Sequence, residues 1–105
     1  MGNSYNCLAY SYGNLKKIIV ISGKVQGVGF RYWLQRLAMS RGIFGWVRNL
    51  NAGQVEALLV GKEVVIHELI GECKIGPPNS FVELVKVYDT EAEYIEKSFE
   101  IIPTR

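Results

Sequence analysis

Gly23-Lys24-Val25-Gln26-Gly27-Val28-Gly29-Phe30-Arg31 is the stretch across which the hydrophobic period of the chain changes. Upstream of it, residues 15–24 are rich in β-branched side chains (Ile18, Ile19, Val20, Ile21), which predicts a strand. Downstream, Phe30, Trp33, Leu34, Leu37 and Ala38 recur at i, i+3, i+4, i+7 and i+8, one face of a helix, and Gly42 suits a left-handed position just past its end. The glycines at 23, 27 and 29 require a loop between the two elements. Further out, residues 43–48 read as a second strand, 49–53 as turn chemistry, and 54–60, apolar at Val55, Ala57 and Leu59, as a third strand. So short a turn predicts an antiparallel hairpin. Val65, Leu69 and Cys73 at i, i+4 and i+8 predict a second helix over residues 62–73. Gly76-Pro77-Pro78-Asn79 then breaks the chain, residues 81–88 form a fourth strand, and 97–102 a short fifth. The order β-α-β-β-α-β plus a terminal β predicts an α+β fold, a ferredoxin-like βαββαβ sandwich. It has an antiparallel four- to five-stranded sheet, two helices on one face and a second face free to stay wet. Residues 1–14 show no period and are expected to be a flexible tail, with one domain over residues 15–105.

Composition narrows the function. The chain has 105 residues, 49% apolar and 21% charged, an ordinary globular balance for one domain. The net charge of +2 is unevenly spread: residues 1–55 hold seven basic residues and no acid, while 56–105 hold the other five and all ten acids. An acid-free half excludes a paired-carboxylate site or a carboxylate metal cage built there, and favours an anionic ligand. Cys7 and Cys73 are too few for a cysteine zinc site and read as free thiols of a cytoplasmic protein. No apolar run approaches the ~20 residues of a membrane span, and no secretory signal is legible. The single histidine, His67, falls off the apolar face of its helix and is expected at the surface.

The loop of residues 23–31 lies between a strand and the start of a helix. Glycines there let backbone N–H groups point at an anion, and the helix start adds unpaired amides and partial positive charge. Arg31, in the first helical turn and off the apolar face, can fork two oxygens of a phosphate. The stretch is not a Walker A loop, since no Gly-Lys-Ser/Thr ends it, nor a dinucleotide fingerprint, since Tyr32 stands where the third glycine belongs. Spacing alone leaves a plain tight turn with an exposed arginine equally open. Lys24 and the Gln26 side chain are expected to face solvent, Gln26 contributing its backbone to the loop. Arg41 is expected to cover the end of its helix, and Arg36 and Arg48 to be solvated. Trp33, Trp46, Phe30, Phe81 and Phe99 are read as core or edge packing.

Residues 23–31, followed by Gly45-Trp46-Val47-Arg48-Asn49, closely resemble the acylphosphatase family. Gly53-Gln54-Val55-Glu56, Gly76-Pro77 and residues 82–87 extend the resemblance over about residues 16–102. It implies a small ferredoxin-like enzyme that hydrolyses carboxyl-phosphate anhydrides without metal or cofactor. It also implies a catalytic pair, with Arg31 binding the substrate phosphate and Asn49 positioning the attacking water. Gln26, Gly27, Val28, Gly29, Phe30 and Arg31 would bind substrate. Leu50 stands where the family often has threonine, so support of Asn49 by a neighbouring hydroxyl is lost. An acyl phosphate is the expected partner, with phosphate or sulfate as competing anions, no nucleic acid, no membrane and a monomeric state. The alternative is a ferredoxin-like module binding single-stranded RNA without enzymatic activity. Against it, the third strand carries no aromatic residue on which a base could stack.

Overall fold

A computed structural model describes residues 14–105, so the reading of residues 1–13 and of Cys7 lies outside the described residues. The elements are β1 (Asn14–Lys24), α1 (Phe30–Ser40), β2 (Phe44–Asn49), β3 (Val55–Lys62), α2 (Glu63–Cys73), β4 (Phe81–Asp89) and β5 (Phe99–Ile101). Asn14, assigned by sequence to the tail, opens β1 and pairs with Lys62 of β3.

The strand order is β4-β1-β3-β2-β5. The pairs β4/β1, β1/β3 and β3/β2 are antiparallel, but β5 runs parallel to β2, so the sheet is mixed where an antiparallel one was expected. The cause is topological. After β4 on one edge the chain crosses the sheet through residues 90–98 and arrives beside β2 in the same direction. The crossing is pinned by Lys16 Nζ donating to Ala92 O at 3.0 Å and by Tyr94 Oη donating to Gly45 O at 2.8 Å.

Strand alternation puts Ile19, Ile21, Val47, Val55, Ala57 and Leu59 on one sheet face. Phe30, Leu34 and Ala38 of α1 and Ile66, Leu69 and Cys73 of α2 close over them, and all are buried. Burying such a side chain contributes about 1.5–3 kcal/mol. The α1 stripe therefore fixes the first helical turn, and with it Arg31 beside Phe30. The opposite face is drier than expected: Leu58 and Val60 point there, in register with Ile18 and Lys16, yet are only 1% and 7% exposed. Phe30 and Trp33 meet edge to face at 5.2 Å, and Phe99 is buried. Phe81, expected to pack, is instead exposed, because it lies at the end of edge strand β4.

Cys73 is buried against the sheet, and burial, with a smaller contribution from the charge of Glu72, pushes its thiol up to about 12. The thiolate is the reactive species. In native protein at pH 8, peptide mapping after iodoacetamide treatment should find Cys73 unmodified, and labelled once denaturant is added. Labelling at equal rates in both conditions would mean that α2 does not seal this position.

Candidate active site

The loop joining β1 to α1 is anchored at both ends by the core: Val25 is 1% exposed and Phe30 2%. Between them Gly27 and Gly29 adopt φ of 75° and 79°, the left-handed region that glycine enters without strain. Gly29 is the N-cap of α1, and no side chain caps the helix. The first amide of the helix to bond backward is that of Trp33, donating to Gly29 O at 3.0 Å. Among the described residues, no amide of residues 27–32 donates to a backbone carbonyl, which leaves a run of donors with the positive end of the helix behind them.

Asn49 comes from a different part of the chain. It is the last residue of β2 and pairs with Val55. Because β1 and β2 both run antiparallel to the β3 strand between them, the loop after β1 and the turn after β2 open at the same end of the sheet. The backbone of Asn49 is also held from the outer side, where Arg105 N donates to Asn49 O at 3.1 Å and Asn51 N donates to Arg105 O at 3.3 Å. The side-chain oxygen Oδ1 of Asn49 is buried and receives no hydrogen bond from any described residue. Buried polar atoms are nearly always satisfied, and leaving one unpaired costs about 1–3 kcal/mol.

These groups share one cavity of about 150 Å³, lined by residues 25–32, Val28 excepted, and by Asn49. Of the residues singled out by sequence, the cavity brings together Gln26, Gly27, Gly29, Phe30, Arg31 and Asn49. Val28 is the exception: its side chain packs against the core. Tyr32 also lines the cavity and was not foreseen, although its place beside Arg31 on the exposed side of the first turn was legible. No carboxylate lines this cavity. Among the described residues no three His, Cys, Asp or Glu side chains converge as a metal site would require. His67 is exposed, as expected. A larger cavity of about 390 Å³ near the C-terminal end of α1, bordered by Met39, Ile43 and Phe44, holds none of the candidate residues.

Three side chains depart from expectation. Gln26 does not face solvent: its Nε2 donates to Leu50 O at 2.8 Å and to Gln54 O at 2.9 Å. Support of the Asn49 turn thus passes through the backbone of Leu50, whose side chain lacks the hydroxyl. Arg48 is not solvated: its Nε donates to Glu56 Oε1 at 2.8 Å and its guanidinium lies 4.6 Å from the ring centroid of Trp46. Neighbours on paired strands, these three form a small polar cluster on the sheet face away from the helices. Arg41 reaches past the end of α1 to form an ion pair with Glu72 of α2. Lys24 and Arg36 are exposed as expected.

The acylphosphatase family model matches residues 17–101. Over 91 residues the chain is 41% identical to the acylphosphatase of Rhodopseudomonas palustris strain BisB5, covering 82% of this chain and 92% of that protein. The crystal structure of acylphosphatase from Bacillus subtilis superposes with a TM-score of 0.79 at 36% identity, covering 84% of this chain and 98% of that one. An acylphosphatase structure from Coxiella burnetii gives 0.83 at 29% identity, over 91% and 100% of the two chains. With its split βαβ order, its glycine-rich loop capped by Arg31 and an asparagine closing β2 beside it, the chain belongs to the acylphosphatase family, hydrolases that act on acid anhydrides.

Proposed function

We propose that the chain hydrolyses acyl phosphates in the cavity between the 23–31 loop and Asn49, without a metal. The observation that carries this reading is Asn49 Oδ1, a buried acceptor that no described residue satisfies, on a residue that lines the same cavity as the loop with its free amides and Arg31. The amides of the loop and Arg31 bind the phosphoryl oxygens, the guanidinium forking two of them. A water donates one hydrogen to Asn49 Oδ1, which turns a lone pair of its oxygen toward phosphorus. The new P–O bond forms as the bond from phosphorus to the carboxyl oxygen breaks. The carboxylate leaves with the bonding pair, and the proton of the water passes to a phosphoryl oxygen, giving inorganic phosphate.

No general base is needed. A carboxylate is a good leaving group, and the loose transition state of phosphoryl transfer asks little of the nucleophile. Positioning and charge stabilisation supply the rate. The small cavity, below the ~300–1,000 Å³ of sites that enclose drug-sized ligands, reads only the phosphoryl-carboxyl end. One chain supplies every group named, in keeping with a monomer, and the free buried thiol of Cys73 suits a reducing cytoplasm.

Turnover of benzoyl phosphate, acetyl phosphate and a phosphate monoester, measured side by side, tests this reading. The two acyl phosphates should be hydrolysed and the monoester should not. Inorganic phosphate and sulfate should inhibit competitively, and EDTA should leave the rate unchanged. Hydrolysis of the monoester alone, or activity lost to EDTA and restored by a divalent ion, would overturn it.

A further inference from the structure

We infer that Gln26 is a positioning residue whose side chain sets the distance between the phosphate loop and the water-orienting Asn49. The inference rests on the site proposed above and adds a coupling that neither Arg31 nor Asn49 supplies. The two halves of the cavity come from β1–α1 and β2–β3, and no strand pairing joins β1 directly to β2. At the cavity the Gln26 carboxamide bridges them. Its nitrogen has two protons, and both are used: one goes to Leu50 O, next to Asn49 in sequence, the other to Gln54 O, next to its partner Val55.

Those two carbonyls frame the hairpin turn. Leu50 N donates to Gln54 O at 2.8 Å and Gly53 N donates to Leu50 O at 2.9 Å, so the turn is already closed on itself. Gln26 therefore does not make the turn; it docks a finished turn onto the loop. Only a donor pair fits. Both partners are carbonyl oxygens, so the amide oxygen of Gln26 cannot take the place of its nitrogen, and a carboxylate in its place would face two acceptors. A shift of about 1 Å between catalytic groups can cost on the order of 10²-fold in rate. A bracket spanning the two halves is thus expected to act on kcat.

Three measurements test this. First, Gln26→Ala should lower kcat for benzoyl phosphate on the order of 10-fold or more, with the inhibition constant of inorganic phosphate changed less than about 3-fold. Second, Gln26→Glu should be impaired at neutral pH and should recover, relative to wild type at the same pH, on acidification. Facing two carbonyls in a half-buried site raises the pKa of the new carboxyl, and its protonated form regains one donor. Third, Gln26→Ala placed on Asn49→Ala should cost little further rate, because a residue that acts through Asn49 has nothing left to position.

Full additivity with Asn49→Ala, or a Gln26→Glu variant whose ratio to wild type is flat with pH, would overturn the inference while wild-type turnover of acyl phosphates stood. A wild-type protein that leaves acyl phosphates intact would instead overturn the site itself. Circular dichroism of each variant separates lost positioning from lost fold.

Discussion

Arg31→Ala is expected to lower kcat/KM for benzoyl phosphate by on the order of 10²–10³-fold, as the loss of a preorganised donor to developing charge does elsewhere. It should also abolish competitive inhibition by inorganic phosphate at concentrations that saturate the wild type. Arg31 stands in the first turn of α1 beside buried Phe30, so its Cα is fixed by the core while its side chain borders the cavity. Among the described residues the ion pairs are Lys17–Asp89, Arg41–Glu72 and Arg48–Glu56, none of which involves Arg31. The substitution should therefore leave the free energy of unfolding within about 0.5 kcal/mol of the wild type, as surface changes usually do. Arg31→Lys separates charge from geometry: a point charge without the planar fork should recover part of the phosphate affinity and less of the rate. Near-normal turnover in Arg31→Ala would remove the guanidinium from the mechanism and leave the loop amides to bind the phosphoryl group alone.

What could be read from sequence here follows from the range over which each signal acts. Alternation and helical period are local, so Ile19 and Ile21 on one face and Phe30, Leu34 and Ala38 on another were legible before any coordinates, as were all seven elements. The loop between β1 and α1 was legible for the same reason, since its three glycines and the helix start lie within nine residues, although spacing alone left its role open. Contacts between distant residues were not. Nothing in the neighbourhood of Gln26 indicates that its side chain meets carbonyls 24 and 28 residues away. Arg48 looked solvated because its partner Glu56 lies across the hairpin, and Arg41 was expected to cover the end of its own helix because Glu72 belongs to the other one. The parallel β5 was hidden too, since its direction depends on where residues 90–98 cross the sheet and not on its own short sequence. Asn49 is the instructive middle case. As a residue type before a turn it is unremarkable, and resemblance alone singled it out. The fold adds an unpaired buried oxygen, which no turn former requires.

That oxygen sets the second large expectation. Asn49→Ala should reduce kcat by on the order of 10²-fold, because the substitution removes the group proposed to orient the nucleophile and leaves the proposed phosphate-binding loop intact. The inhibition constant of inorganic phosphate should stay close to wild type, since Arg31 and the loop amides are untouched. Stability should move the other way from activity. The bonds that hold residue 49 in place are from its backbone, to β3 and to Arg105, and they survive truncation of the side chain. Alanine also removes a buried acceptor that the described protein atoms leave unsatisfied, a burden of about 1–3 kcal/mol. The thermal midpoint of Asn49→Ala should therefore equal or exceed that of the wild type, the exchange of stability for function that marks an active-site residue. Asn49→Asp probes the same atom with charge. It keeps an acceptor for water but sets a carboxylate opposite a dianion, so KM should rise along with the fall in kcat. If Asn49→Ala instead raised KM with kcat unchanged, the carboxamide would be a substrate ligand, and the water would have to be aimed by another group at the cavity wall, with Tyr32 a candidate in the lining.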